Sequence, residues 1–396
     1  MAVGTPFHER TSALCHSHAW RQWSGYLTVG SYDDYVQPEY AAIRNSAALI
    51  DISPLYKYRV TGAEAEALVN HVVTQDMKRL TPGGVSYTPW CDSDGAVRQE
   101  GTIFRVAEDD FVVCAAEPAL DWFGQAGTGF KATIEDRSTA LAALSLQGPH
   151  ARSILDAATD GAVHDLVFFR HCEATIAGVQ VNVSRTGYTG DLGYEIWIPQ
   201  EHALRVWDAL IEVGQPWQIT PCGLVAMDVA RVEAGFILIG VDYVSSESAH
   251  LPDERSTPYE LGLGWTVKLD KGNFVGRRAL RAARERGPAR QVVALEIDWQ
   301  PLEELYLAAD LMPCLPMTVC RESVPMYSTE GLQIGRATSR VWSKLLKKYL
   351  VIATVDAAHA APGSRAEMEV TVHHQRRRAP ATVVKPPFFR PERMRS

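Results

Sequence analysis

Apolar and polar residues alternate in some stretches of the chain and recur at helical spacing in others. Residues 56–60, 179–184 and 194–198 alternate and therefore predict β-strands, because successive side chains of a strand point to opposite faces. Residues 204–213 and 224–234 have the spacing of one helix face. Strands and helices intermixed in this way predict an α+β fold.

The same reading applies to the first half of the chain. Residues 40–49 predict a helix, and residues 141–148 an apolar strand that stops at Gly-Pro. Residues 101–116 contain two β-rich runs around the acidic residues 108–110, which is typical of a hairpin.

Two composition changes divide the chain. Residues 1–36 are irregular but rich in tryptophan and tyrosine, so we expect an arm packed on a domain surface. Residues 281–290 are charged and contain Gly-Pro, which predicts a domain boundary. The predicted organisation is an arm, a main domain and a C-terminal domain: residues 1–36, 37–282 and 290–390.

Beyond the boundary the pattern is mostly β. Residues 291–297, 367–372 and 381–384 predict strands of a small barrel or sandwich. The arginines at 376–378 fall between two of these strands, where we expect a solvated hairpin loop.

The composition excludes several classes of partner. The chain has 396 residues, 39 Lys and Arg against 47 Asp and Glu, and a formal net charge of −8. This charge argues against a nucleic-acid partner and against adhesion to anionic lipid. No apolar run of about 18 residues is present, and the first residues lack the pattern of a signal peptide. We therefore expect a cytoplasmic protein without a membrane partner.

Cysteine and histidine spacing predicts no metal centre. The seven cysteines are scattered and contain no C-x-x-C, so we expect free thiols. The closest histidine pairs, at 16 and 18 and at 373 and 374, lack the spacing of metal ligands.

The most informative motif is residues 184–196, SRTGYTGDLGYEI. Its glycines permit a tight turn and a close approach to a flat ligand. Glu195 can accept two parallel N–H bonds from an aminopyrimidine edge. The same residues also fit an ordinary polar hairpin.

This motif resembles the signature of the glycine-cleavage T-protein (aminomethyltransferase) family, which binds tetrahydrofolate. Four further motifs follow in the family's order, at residues 229–236, 260–276, 335–339 and 385–388. The resemblance extends from about residue 40 to residue 389. It implies a ring of subdomains with folate in a central channel and a small C-terminal β-domain.

The resemblance also implies roles for individual residues. It places the family's pterin-binding carboxylate on Glu195, its ligand-binding arginine on Arg231 and its strand tyrosine on Tyr87. Trp265 would line the channel. From the residues themselves, Arg231 can instead pair with Glu233, and the two aromatic residues can be ordinary core.

Three positions depart from the family pattern. The family's Asp-Asp pair is replaced by Gln99 and Glu100, Pro54 replaces a common histidine, and Arg340 replaces a glycine. Because Gln99 cannot take a proton, the aminomethyl reaction is disfavoured.

The chain is more similar to a divergent branch that includes tetrahydrofolate-dependent O-demethylases of methoxylated aromatic acids. We predict methyl transfer from a small methylated donor to tetrahydrofolate. An acid must then protonate the leaving group, with Tyr188 as the first candidate and Glu100 as the second. Arg231 and residues 376–378 are candidates for binding an anionic folate tail or substrate.

Three alternatives stay open. The first is a glycine-cleavage aminomethyltransferase that acts on a lipoyl-protein. The second is a non-enzymatic folate-binding assembly or regulatory protein, although Asn273 replaces the cysteine of the iron–sulfur assembly relatives. The third is a subunit that partners a flavin amine oxidase, since the chain itself lacks a flavin-binding G-x-G-x-x-G.

Overall fold

The computed structural model describes residues 2–395 as a mixture of helices and strands, so the predicted α+β class is confirmed. The helices are α1 (His8–Leu14), α2 (Gln37–Asn45), α3 (Ala65–Val72), α4 (Leu120–Ala126), α5 (Ala151–Ala158), α6 (Ala203–Gly214), α7 (Leu224–Glu233), α8 (Arg277–Arg286) and α9 (Trp299–Leu307). The strands are β1 (Val3–Gly4), β2 (Ala19–Trp23), β3 (Tyr26–Ser31), β4 (Ala47–Asp51), β5 (Tyr56–Thr61), β6 (Val85–Cys91), β7 (Val97–Ala107), β8 (Asp110–Ala115), β9 (Thr133–Asp136), β10 (Leu141–Gln147), β11 (His171–Ile176), β12 (Val179–Ser184), β13 (Gly193–Pro199), β14 (Ile219–Pro221), β15 (Arg290–Ile297), β16 (Val324–Tyr327), β17 (Gln333–Ser343), β18 (Lys348–Asp356), β19 (Arg365–Val372) and β20 (Gln375–Val384).

The N-terminal segment is more regular than predicted. Residue 1 lies outside the described residues, but the rest of the segment forms α1 and a three-stranded sheet in the order β1-β3-β2. Phe7 is fully buried, with its ring centroid 5.7 Å from that of Trp207. The expectation of an irregular arm is therefore wrong, although its aromatic side chains do pack against the main domain.

Two sheets form the main domain. One has the order β6-β7-β8-β5-β9 and packs one face on α3 and α4. The other has the order β11-β12-β13-β10-β4-β14 and packs one face on α5 and α6. The opposite faces of the two sheets meet at a smaller cluster that includes Phe104 and Trp197, whose rings contact edge to face at 5.3 Å. The space between these faces holds the candidate site.

The helix predicted over residues 40–49 is too long. Helix α2 ends at Asn45, and Ala47–Asp51 is strand β4. This strand pairs with both β10 and β14 and is buried along its whole length. A central strand buried on both faces has no apolar–polar alternation, which explains why the pattern resembled the continuation of a helix.

The C-terminal region is a closed six-stranded barrel, β15-β18-β17-β16-β19-β20, so the prediction of a small β-domain is confirmed. Val341, Leu350 and Ile352 of the barrel pack against α2 and α7 of the main domain. The three arginines at 376–378 lie within β20, and the loop before them is His373–His374. Their predicted position in a loop is therefore wrong.

Candidate active site

Strand register brings polar side chains from both sheets into the space between them. In one sheet, the cross-strand pairing puts Lys57, Cys114, Thr102 and Tyr87 in a single row on one face. In the other sheet, Glu195 stands in β13 between Ser145 of β10 and Ser184 of β12. Lys57 Nζ lies 5.8 Å from the ring centroid of Trp197, which is on the same face of β13 as Glu195, so the two rows approach each other.

Glu100 lies on the same face of β7 as Thr102, because the two residues are two positions apart. Its neighbour Gln99 points to the opposite face, where its side-chain amide donates to the Pro118 carbonyl at 3.0 Å and accepts from the Glu117 amide at 3.3 Å. Of the two residues that replace the family's acidic pair, Glu100 is therefore the one that faces the space between the sheets.

Glu100 is a partly buried acid without a cationic partner. Its carboxylate accepts a hydrogen bond from the Tyr243 hydroxyl, and within residues 2–395 it forms no ion pair with lysine or arginine. Burial, together with the smaller influence of the Asp242 carboxylate, raises the pKa of Glu100 to about 8. The carboxyl therefore holds a proton at neutral pH and is able to act as an acid.

The hydroxyl of Tyr188 is already engaged. It donates to the backbone carbonyl of Ile237, and its ring stacks on Phe236 with centroids 5.5 Å apart. Burial raises the pKa of Tyr188 well above its usual range. The ring thus forms a wall of the site, and its proton is held by a protein carbonyl.

Glu195 has one occupied carboxylate oxygen. Oε2 accepts a hydrogen bond from Thr186 Oγ1 at 2.7 Å, and Thr186 in turn contacts Ser184 Oγ at 2.7 Å. Within the part of the chain that the structure describes, Oε1 has no protein partner. Burial raises the pKa of Glu195 as well. A ligand that donates N–H groups fits this half-satisfied acceptor.

Tyr87 and Trp265 stack on each other with ring centroids 6.3 Å apart and an interplanar angle of 25°. Trp265 is 59% exposed, so it is an open aromatic face and not core. Burial raises the pKa of Tyr87, and the neighbouring Glu100 and Tyr188 raise it further, which places these three side chains in one site.

Arg231 is enclosed by protein groups and fully buried. Nε donates to Asp228 at 2.8 Å, Nη1 to Asp242 at 2.6 Å, and Nη2 to Ser339 Oγ at 2.8 Å. Nη1 also donates to the Phe236 carbonyl at 3.1 Å. The side chain joins α7 to the barrel and holds Asp242 in place.

The alternative pairing of Arg231 with Glu233 is wrong. Glu233 is bound by Arg44, whose Nη2 and Nε lie 2.7 and 3.0 Å from Oε2. The direct ligand-binding role of Arg231 stays a prediction, and its contacts with the site residues named above are with Asp242 and the Phe236 carbonyl.

Two residues of the site were not predicted. Tyr243 contacts Glu100 across 143 positions of sequence, which no local pattern indicates. Lys57 is fully buried and donates to the Ser53 carbonyl at 2.6 Å, and burial lowers its pKa to about 8. The row that contains Lys57 becomes visible only when strand register is known.

A cavity of about 460 Å³ lies at the outer end of the space between the sheets. The Phe104–Trp197 contact forms part of its wall, and none of the six predicted site residues lines it. Its lining residues are Phe104, Val106, Val112, Leu141, His171, Glu173, Gln180, Val181, Asn182, Trp197 and Pro199.

Residues 2–395 contain neither a cluster of metal ligands nor a helix that could span a membrane. No three His, Cys, Asp or Glu side chains lie close enough together to hold a metal ion. In the same residues, every helix is too short or too polar to cross a bilayer.

Two family models match the chain. The one described as the GCVT N-terminal domain covers residues 7–271, and the one described as the glycine cleavage T-protein C-terminal barrel domain covers residues 311–390.

Individual relatives carry two kinds of name. A trimethylamine-oxide aldolase from Ruegeria pomeroyi is 35% identical over 100% of this chain but 48% of its own length, so the chain spans about half of that relative. Aminomethyltransferases from Herpetosiphon aurantiacus and Streptomyces avermitilis are 34% and 32% identical, over 92% and 98% of this chain and 94% and 99% of their own lengths.

One solved structure matches along its whole length. The aminomethyltransferase T of the glycine cleavage system from Bartonella henselae superimposes with a TM-score of 0.83 over 100% of this chain and 99% of that chain. At 22% identity, this match shows the fold.

Proposed function

Since the chain belongs to the glycine-cleavage T-protein family of folate-dependent one-carbon transferases, we propose that it moves a methyl group from a small methylated donor to tetrahydrofolate. The observation that carries this proposal is Glu100, which stands with Gln99 in place of the family's aspartate pair, has a pKa raised to about 8 and faces the space between the sheets. A protonated acid suits a reaction that releases a basic oxygen or nitrogen.

The residues of the site fit tetrahydrofolate. The open Oε1 of Glu195 is an acceptor for the N–H groups of a pterin edge, and the exposed ring of Trp265 is a surface for an aromatic ring. Bound tetrahydrofolate would supply the ring nitrogen that accepts the methyl group. Glu195 would hold the pterin edge, and Tyr87 and Tyr188 would exclude water from the reacting atoms.

Glu100 would give its proton to the donor heteroatom when the bond between that atom and the methyl group breaks. The proton that the accepting nitrogen loses balances the one that Glu100 gives. The Tyr243 hydroxyl donates to the carboxylate left behind and so stabilises it. In this scheme Glu100 replaces Tyr188 as the first candidate for the acid, because the Tyr188 proton is held by Ile237.

A second candidate function is aminomethyl transfer from a lipoyl-protein. The observation that favours it is that relatives named aminomethyltransferase match nearly the whole chain from end to end. The lipoyl carrier, the methyl donor and a cytoplasmic location all stay predictions.

The two functions give different folate products. The purified chain is incubated with tetrahydrofolate and, separately, with methoxybenzoates, sulfonium compounds, N-methylamines and an aminomethylated lipoyl-protein, and the folates are separated by mass. We expect 5-methyl-tetrahydrofolate from one of the small donors and a large loss with Glu100→Gln. Methylene-tetrahydrofolate from the lipoyl-protein, with no product from the small donors, would replace the proposal by the second candidate.

A further inference from the structure

We propose that the C-terminal barrel positions the Glu100 carboxyl, acting through the adjacent residues Asp242 and Tyr243. This inference rests on the proposed function only for what Glu100 does. The connection itself is a chain of direct hydrogen bonds between the barrel and the site.

The first part of the connection is the Asp242 carboxylate, which is 2% exposed and bound on both oxygens. From the barrel strand β17, the hydroxyls of Thr338 and Ser339 donate to Oδ1 at 2.6 and 2.7 Å. From the main domain, Arg231 Nη1 and the Leu238 amide donate to Oδ2 at 2.6 and 2.9 Å. The barrel therefore supplies two of the four donors that hold Asp242, including both donors to Oδ1.

The second part is the residue that follows. Tyr243 is 2% exposed, and its hydroxyl donates to Glu100. A tight backbone turn leaves little freedom between the two, because the Asp242 amide donates to Leu238 and the Gly240 amide to the Tyr243 carbonyl, both at 2.8 Å. A displacement of Asp242 must therefore move the Tyr243 ring.

The electrostatics around Glu100 give this movement a measurable effect. The titratable groups that face Glu100 are Asp242, Tyr243, Tyr87 and Tyr188. A hydrogen bond from Tyr243 favours the carboxylate, whereas the charge of Asp242 disfavours it.

Removal of the Thr338 and Ser339 hydroxyls should alter both the Tyr243 hydrogen bond and the influence of Asp242 on Glu100. The Tyr243 hydrogen bond is loosened, and the Asp242 carboxylate loses two of its four donors. Both changes raise the pKa of Glu100.

The experiment measures the Glu100 carboxyl directly. The C=O band of the protonated side chain is followed by infrared difference spectroscopy as pH is raised, and Glu100→Gln identifies the band by removing it. Tyr243→Phe should raise the midpoint by about one pH unit, because it removes one hydrogen bond to a charged group. The double variant T338V/S339A should move the midpoint in the same direction without touching Glu100 or Tyr243.

Ser343→Ala is the matched control. Ser343 is in the same strand, is also fully buried, and also donates across the barrel interface to a carboxylate, but that carboxylate is Glu233. Ser343→Ala should therefore leave the midpoint of the Glu100 titration unchanged. Near-ultraviolet circular dichroism and thermal unfolding establish that each variant is folded, and Ser339→Ala serves if the double variant is not.

The outcomes separate this inference from the proposed function. A midpoint that moves with T338V/S339A but not with S343A supports the connection, even if no methyl donor is ever turned over. A midpoint that moves equally with both, or with neither while Tyr243→Phe moves it, overturns the connection and leaves the role of Glu100 intact.

Discussion

Two glutamates of this protein, the buried Glu233 and the partly buried Glu100, have opposite surroundings. Glu233 is fully buried and saturated: Arg44 binds Oε2 twice, and the hydroxyls of Tyr40 and Ser343 donate to Oε1. Glu100 receives a single hydroxyl, from Tyr243, and no cation from the described residues. Both acids contact neighbours far away in sequence, but only Glu233 has a cationic partner that balances its charge.

The difference indicates what each glutamate does. A carboxylate that is paired and hydrogen-bonded stays charged and connects elements, as Glu233 connects α2, α7 and the barrel. A carboxyl buried without a cation takes up a proton instead and is poised near neutral pH, as burial raises the pKa of Glu100 to about 8. The following predictions test this contrast from both sides.

The largest effect is expected from Arg44→Met. Arg44 also donates to Asp191 at 3.2 Å, but Asp191 keeps Arg393 as a partner, so the loss of Arg44 leaves Glu233 as a buried carboxylate without a cation. Breaking a buried pair by removing one partner costs about 3–5 kcal/mol, which chemical denaturation would measure as a lower free energy of unfolding. Arg79→Met is the control, because that side chain is 85% exposed and should leave the free energy almost unchanged. An equal loss of unfolding free energy in Arg44→Met and Arg79→Met would refute the structural role of the Arg44–Glu233 pair.

Glu100→Gln should reverse this pattern. The amide keeps the shape and still accepts from Tyr243, so folding is preserved, but it has no proton to give. Loss of a general acid lowers kcat by about 10²–10⁴-fold. The measurement is kcat with the active donor, together with the affinity for tetrahydrofolate by calorimetry, which should not change. A variant that keeps its kcat would exclude Glu100 as the acid.

The same substitution should change how stability depends on pH. In the folded protein burial raises the pKa of Glu100 to about 8, above that of an unfolded glutamate. The folded state therefore binds the extra proton between these two values, and this contribution to stability is lost as pH rises towards 8, at about 1.4 kcal/mol per pH unit. Denaturation at several pH values should give a smaller decline for Glu100→Gln than for the natural chain. Parallel declines would mean that folding does not raise the pKa of Glu100.

Glu195→Ala tests the folate side of the site and should have a smaller effect. Hydrogen bonds to a charged group are worth about 1.5–3 kcal/mol, so the dissociation constant for tetrahydrofolate should rise by about 10–100-fold. Calorimetric titration measures this constant directly. Glu173→Ala, at the rim of the outer cavity, is the control and should bind as the natural chain does. An unchanged affinity for Glu195→Ala would remove Glu195 from the pterin site.

Some of this arrangement follows from local sequence, and some does not. The strands at 56–60 and 179–184 and the helix at 204–213 were predicted correctly, because one buried face produces a regular pattern. The motif order located Glu195 and Glu100, but only strand register separates Glu100 from Gln99, which faces the other way.

The partners of the buried charges were beyond local reasoning. Arg231 donates hydrogen bonds to Asp242, 11 positions away, and to Ser339, 108 positions away. The nearer Glu233 instead accepts from Arg44. A helix neighbour two positions along points to a different side, so sequence proximity misled the pairing. The N-terminal sheet was missed although β2 has five residues, because no position of β2 is fully buried and the strand therefore lacks a regular apolar–polar alternation.

The smallest effect is expected from Tyr188→Phe, and it distinguishes the two candidate acids. If Tyr188 were the acid, the loss of its hydroxyl would lower kcat by about 10²-fold or more. Because that hydroxyl donates to the Ile237 carbonyl, we expect instead the loss of one neutral hydrogen bond, about 0.5–1.5 kcal/mol and at most about tenfold in kcat. The ring still stacks on Phe236, so the wall of the site is kept. Steady-state kinetics should compare the kcat of Tyr188→Phe with that of Glu100→Gln. A hundredfold loss of kcat for Tyr188→Phe would identify Tyr188 as the acid.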